Sequence, residues 1–171
     1  MIKVIAINKK IIISWLLVAI WMLVIFFLSN MNTFESNNSS KNVINKVIET
    51  TVEATNKIGI TDKHPSEKKK DEITNILNLP FRKFAHAGMY LILVILLINA
   101  LIASKVKFPL VILLALIISF LYACSDEYHQ TFIFGRTGKF TDVLIDTGGI
   151  ILGIIIYTLA YFIYRKKKTF I

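Results

Sequence analysis

Between Ser125 and Gly149 the chain reads SDEYHQTFIFGRTGKFTDVLIDTGG, which sets Asp126, Glu127, His129, Arg136, Asp142 and Asp146 between two strongly apolar stretches. Ionisable groups at a membrane edge cost solvation energy, so their presence there points to function. Asp126, His129 and Gln130 fall at i, i+3 and i+4 and share one helical face, with Glu127 turned aside by about 100°. Phe132 and Phe134 flank this cluster. Gly135, Arg136 and Gly138 read as a turn, where glycine permits positive φ or close approach to a ligand. Arg136 offers a planar fork to a carboxylate or phosphate, or alternatively an internal salt bridge to Asp126, Glu127 or Asp142. Asp142, Asp146, Gly149 and Gly153 then follow at i, i+4, i+7 and i+11. The Gly149-x-x-x-Gly153 spacing lets a second helix pack closely, so this stripe faces protein and both acids point inward.

An earlier stripe complements these. Arg82, His86 and Tyr90, at i, i+4 and i+8, align a cation, an imidazole and a phenol, with Lys83 beside them in reach of an anionic headgroup. An interfacial belt accounts for Arg, Lys and Tyr at such a depth, but not for His86. An ionised acid at mid-membrane costs about 2.5–3.5 kcal/mol, and Asp146, about one turn in, costs less. Arg136, Arg82 or protonated His86 are its expected counter-charges. If the three helices pack, their stripes converge on a small polar pocket. His86, Asp126, Glu127 and His129 are its acid–base candidates. Arg82, Lys83, Tyr90, Gln130, Arg136, Asp142 and Asp146 are its ligand-binding candidates. No cofactor and no metal are expected, because no recognised zinc spacing such as H-E-x-x-H is present. Ser125 lacks a G-x-S-x-G elbow, and the single Cys124, which excludes an intrachain disulfide, reads as a packing residue.

The elements that must hold these residues follow from composition. The 171 residues are 55% hydrophobic, above the roughly 45–50% of soluble domains, which predicts an integral membrane protein. Four apolar segments cover 11–28, 87–103, 109–130 and 143–164, the third reaching full length only if its helix runs from Pro109 past Ala123 to Gln130. Such helices match a hydrocarbon core about 30 Å thick. The expected fold is all-α: one polytopic membrane domain over 1–171, with four transmembrane helices and amphipathic helices in a long outer loop, 29–83. The net charge of +9 does not indicate nucleic acid, since Lys3, Lys9, Lys10, Lys105, Lys107 and Arg165 to Lys168 sit at segment ends. By the positive-inside rule both termini are cytoplasmic. The first segment has no small-x-small cleavage pattern and reads as an uncleaved anchor.

Within the loop, Val43, Ile44, Val47, Ile48, Thr51, Val52 and Thr55 predict an amphipathic helix, capped by Ser39 or Ser40 and lying on the membrane or over the bundle mouth. Thr61 to Lys70, with His64 and Pro65, reads as a flexible connector. A short helix is expected over Asp71 to Leu77, with Pro80 restarting the chain as an early helix residue.

The motifs together resemble the VanZ-like family of bacterial membrane proteins. The resemblance rests on Arg82-Lys83-Phe84-Ala85-His86 with Tyr90, on Asp126-Glu127-Tyr128-His129-Gln130 with Phe132, Gly135, Arg136 and Gly138, and on Asp142, Asp146, Gly149 and Gly153. Ser29, Ser36, Ser39 and Ser40 are similar to the family's serine-rich stretch after the first span, and Thr147 departs from its usual Asn, Asp or small residue. The resemblance covers nearly the whole chain. It implies a protein of the bacterial cytoplasmic membrane and cell envelope, related to a teicoplanin-resistance protein, but it supplies no reaction. Three expectations follow. The chain engages a polar or anionic envelope ligand, such as a lipid-linked precursor, lipid headgroup or glycopeptide, from the outer leaflet. Alternatively it is a hydrolase or transferase with Glu127 or His129 as base. The last alternative is a structural or regulatory membrane protein whose charges only lock the helices. The oligomeric state is not specified by the sequence.

Overall fold

A computed structural model describes residues 9–58 and 65–169, with side chains as far as Lys166. The described residues form five helices: α1 (Lys9–Ser29), α2 (Thr33–Lys57), α3 (Glu67–Ala103), α4 (Phe108–Gln130) and α5 (Phe140–Thr169). Four of them, α1, α3, α4 and α5, are long and apolar enough to cross a membrane. Lys3 and His64 lie outside the described residues.

α3 is the hub, packing against every other helix and most extensively against α5. Its buried residues Tyr90, Leu93, Val94, Leu97, Ile98 and Leu101 repeat at three and four residues, the spacing that keeps one side of a helix turned inward. α4 buries a line of small side chains, Ala115, Ser119 and Ala123. Lipid is as apolar as leucine, so apolar side chains alone do not drive helices together in a bilayer; close packing and hydrogen bonds do. α1 illustrates the second device. The Trp21 indole donates to the Met89 carbonyl at 2.9 Å and the Trp15 indole to the Ser104 hydroxyl at 3.0 Å, while the Tyr122 hydroxyl donates to the Met22 carbonyl at 2.7 Å.

α5 illustrates the first. Gly149 lies against the backbone of Ala87, where an added Cβ would meet the Ala87 carbonyl and come within 2.7 Å of its carbon. One turn on, a Cβ at Gly153 would meet Val94 Cγ1 at 2.6 Å and the Leu91 carbonyl oxygen at 2.9 Å. The α3–α4 turn, the start of α1 and the end of α5 share one end of the bundle, as the Trp15–Ser104 bond and the stacking of Phe108 on Tyr161 at 4.2 Å require. The polar motifs gather at the other end.

The loop between the first two apolar segments differs from expectation in three ways. α2 begins well before Ser39 and Ser40, because Asn32 forms a capping box with Glu35: its side chain accepts from the Glu35 N–H at 2.9 Å, and its own N–H donates to the Glu35 carboxylate at 3.2 Å. Ser40 is instead inside the helix, its hydroxyl bonded to the Ser36 carbonyl at 2.9 Å and paired with Asn78. Next, Lys68 to Lys70 are helical rather than connector, since α3 starts at Glu67. Finally, Pro80 does not restart the chain. α3 runs through it without a break and, at 37 residues, extends about 56 Å, nearly twice the hydrocarbon core.

Proline in a helix interior removes one backbone hydrogen bond and crowds the preceding turn. The cost is offset by α2, which clasps α3 on both sides of Pro80. Glu49 pairs with Lys70 at 2.6 Å, Asn45 accepts from Thr74 at 2.7 Å, and Asn37 accepts from Asn78 at 3.3 Å and from Arg82 at 2.8 Å.

The two adjacent glycines of α5 test the helix contact. Overpacking of this kind costs about 1–3 kcal/mol, so Gly149→Leu is expected to lower the thermal unfolding midpoint and the yield of monodisperse protein in detergent. Gly148→Ala, where an added Cβ meets nothing within 4 Å, should leave both unchanged.

Candidate functional site

Where α3, α4 and α5 meet at the polar end, they enclose a cavity of about 90 Å³, room for about three waters at bulk density. α3 contributes Arg82, Lys83 and His86, α4 Glu127 and Gln130, the α4–α5 loop Arg136, and α5 Asp142 and Asp146, with Leu79 and Ile145 as apolar wall. The glycine contact between α5 and α3 brings Asp146 to this wall. Asp146 is 1% exposed and its Oδ2 has no hydrogen-bond partner. Asp142, nearer the helix end, pairs with Lys83 at 2.7 Å, and both groups keep about a third of their side-chain surface exposed. That pair ties α5 to α3 at the mouth and leaves Arg82 and Arg136 facing Glu127 and Asp146 inside.

The loop that carries Arg136 is folded back on α4. Gly135 has φ 75°, as the third position of a type II turn requires, and the Arg136 N–H closes that turn on the Ile133 carbonyl at 3.0 Å. A Cβ at Gly138 would collide with the Glu127 carbonyl, so only glycine lets the chain pass there. The same approach brings the Lys139 N–H to 3.0 Å from Glu127 Oε2 and fixes that carboxylate, 7% exposed, on the cavity wall.

Arg136 donates through Nη1 to Gln130 Oε1 at 3.0 Å, while Nε and Nη2 are buried and unpartnered. It has no salt bridge to Asp126, Glu127 or Asp142 among the described residues. Burial draws its pKa below the ordinary guanidinium value, the neighbouring Arg82 draws it further, and Asp126 and Glu127 oppose them; a guanidinium nonetheless stays charged. Arg82 is held by Asn37 of α2, and His86 Nδ1 is buried without a partner. The expected counter-charges of Asp146 therefore stand around the cavity without closing on it. Unpartnered donors on Arg136 and an unpartnered acceptor on Asp146 thus belong to residues that line one cavity.

Two of the acid–base candidates lie elsewhere. Asp126 is behind the wall, where Oδ2 accepts from Ser29 at 2.8 Å and from Gln130 Nε2 at 3.2 Å. His129 is turned to α1 and stacks on Phe26 with ring centres 4.8 Å apart. Helical geometry accounts for this. With about 100° per residue, Glu127 and Gln130 lie on one side of Asp126 and His129 on the other, so turning Glu127 toward α5 turns His129 toward α1. Gln130 belongs to both faces, which is why it shares a direction with Asp126 and still reaches the cavity. Tyr90 is wholly buried, with its hydroxyl directed at the Asp126 carboxylate and within electrostatic range of Asp146; it lies behind the cavity rather than on its wall. Among the described residues no three His, Cys, Asp or Glu side chains are grouped to share a metal ion.

Sequence reasoning did not identify Ser29, Asn37 or the Lys139 N–H as partners of the site. Ser29, the last residue of α1, begins a relay in which it donates to Asp126, Asp126 orients the Gln130 amide, and the amide oxygen then holds Arg136. The signals for Ser29 were a hydroxyl ending an apolar run and its place in the serine-rich stretch of the family resemblance. Asp126 is thus a positioning residue. A buried carboxylate that loses a donor costs about 1–3 kcal/mol. Ser29→Ala should destabilise the protein in detergent by that amount, and its effect should fall short of additivity with Asp126→Ala by about 0.5 kcal/mol or more in thermal or chemical unfolding.

The VanZ/LLP1 family model matches residues 14–161, which include all of the cavity's side chains and nearly all of the four apolar helices. No curated protein matches the chain, and no solved structure does. Most of the chain is thus accounted for by one family, and we conclude that this multi-pass membrane protein belongs to the VanZ/LLP1 family.

Proposed function

We propose that the chain engages a polar or anionic ligand of the bacterial cell envelope from the outer leaflet, through the cavity between α3, α4 and α5. The observation that carries this reading is the buried guanidinium of Arg136, with Nε and Nη2 unpartnered, on the same small cavity as the unpartnered Asp146 Oδ2. Buried groups of this kind are ordinarily paired within the protein, and here the two residues that carry them line one cavity. The outward direction is supported by charge: Lys9, Lys10, Lys105, Lys107 and Arg165 to Lys168 belong to the end of the bundle opposite the cavity, which the positive-inside rule assigns to the cytoplasm together with both termini. A lipid-linked wall precursor, a lipid headgroup and a teicoplanin-type glycopeptide all carry suitable anionic and hydroxyl groups, and engagement of any of them at the outer surface connects this protein to glycopeptide resistance.

One observation favours a second reading, a membrane hydrolase or transferase. Glu127 is buried on the cavity wall and held by a backbone N–H, with Arg82 and Arg136 in the same cavity to stabilise developing negative charge. Purified protein incubated with lipid-linked precursors would then yield a product of altered mass that Glu127→Gln does not form.

Binding is tested in cells. Loss of one charge-assisted hydrogen bond is worth about 1.5–3 kcal/mol, roughly tenfold or more in affinity. Arg136→Ala and Asp146→Asn, each present in the membrane at wild-type abundance, are expected to abolish whatever change in teicoplanin susceptibility or envelope integrity the wild-type protein confers. Full retention of those phenotypes by both variants overturns the proposal.

A further inference from the structure

Next to the polar cavity around α3, a groove of about 220 Å³ runs between α1, α2 and α3. Its walls are mainly apolar, with Leu28 from α1, Phe81, Ala85 and Met89 from α3 and Val43 from α2, while Ser36 and Ser39 put hydroxyls on the α2 rim. α1 and α2 make no substantial contact with each other, so the groove stays open between them. Arg82 and His86 belong to the walls of both spaces, and the polar cavity and the apolar groove therefore meet across these two side chains. A guanidinium at such a junction has one side toward charge and the other toward hydrocarbon.

We infer that the ligand is an amphiphile, a membrane lipid bearing a phosphate, whose phosphate sits at Arg82 and Arg136 and one of whose hydrocarbon chains lies in the groove between α1, α2 and α3. This rests on the anion-binding reading of the cavity and narrows it to a lipid. The side chains of the cavity select the head: two guanidinium groups, one with unpartnered N–H donors, point to a phosphate, His86 offers a further ring nitrogen, and the Asp146 carboxylate on the same cavity takes a donor such as a P–OH of the headgroup. The groove selects the tail. It holds more than twice the volume of the polar cavity, and its apolar walls take a hydrocarbon chain by close packing, the term that remains when the chain comes from a bilayer or micelle. A water-soluble headgroup leaves the groove unused; a neutral lipid brings no anion to the two arginines.

The test is isothermal titration calorimetry on the full-length chain in detergent micelles with three probes: dioleoyl phosphatidic acid, dioleoylglycerol and glycerol 3-phosphate. Phosphatidic acid should bind at least tenfold more tightly than either of the others. Ala85→Phe and Ser39→Phe narrow the groove from opposite walls, at positions exposed on the helix surfaces, and each should weaken phosphatidic acid at least tenfold while leaving glycerol 3-phosphate unchanged. Arg136→Ala should weaken both phosphate compounds. If glycerol 3-phosphate binds as tightly as the lipid, or if both groove variants bind the lipid as the wild type does, the lipid assignment is overturned while Arg136-dependent anion binding stands. If neither phosphate compound binds in an Arg136-dependent way, the anion-binding reading itself fails.

Discussion

The approach of α5 to α3 at Gly149 and Gly153 is the contact on which the polar end depends. Backbone lies against backbone there, and even one methyl group at Gly149 would strike the Ala87 carbonyl. Because Asp146 and Asp142 precede Gly149 by three and seven residues on the same stripe, the closeness of the helices sets how far the two carboxylates reach across toward His86 and Lys83. A wider interface would open the cavity and separate Lys83 from Asp142. In a bilayer this contact has no hydrophobic driving force behind it, so its strength comes from the packing of small residues and from the polar bonds at its margin.

The polar groups at that end fall into two kinds. Ser29, Asp126 and Gln130 are bonded across α1 and α4, and Lys83 to Asp142 across α3 and α5, which is how a membrane protein keeps its internal polar groups from costing several kcal/mol each. Asp146 Oδ2, His86 Nδ1 and two nitrogens of Arg136 are not. Arg136 and Asp146 do not close on each other, and the relay from Ser29 holds Arg136 by one nitrogen through Gln130. The relay commits three side chains to keeping a guanidinium extended into the cavity.

Much of this was legible in the sequence, where one residue type had one physical use. Apolar runs of about twenty residues gave the four spans, and the stripe from Asp142 to Gly153 gave the facing of α5, because charge and glycine on one helical line in lipid both demand a protein neighbour. The facing of α4 was harder. Asp126, Glu127, His129 and Gln130 span most of a helical turn, and which of them meets the cavity depends on how far α4 is rotated, a matter settled by Ala115, Ser119 and Ala123 in its buried line rather than by the acids. Expecting Ser39 or Ser40 to cap α2, and Pro80 to break α3, followed from local propensity. Asn32 with Glu35 capped the helix better, and the continuity of α3 came from the side chains of a helix more than twenty residues away in the chain.

α2 was expected to lie by its apolar face on the membrane or over the bundle mouth, and the way it is attached changes what it does. Its bonds to α3, from Glu49–Lys70 to Asn37–Arg82, are polar and occur along most of its length, while Val43 and Val47 stay about half exposed. A helix held by a ladder of hydrogen bonds keeps its register along its partner, whereas one held by a greasy face can slide. Register matters at one point above all: Asn37 holds Arg82, the side chain shared by the polar cavity and the apolar groove. α2 thereby fixes the aim of Arg82, and its half-exposed valines remain turned outward, Val43 toward the groove that opens beside it.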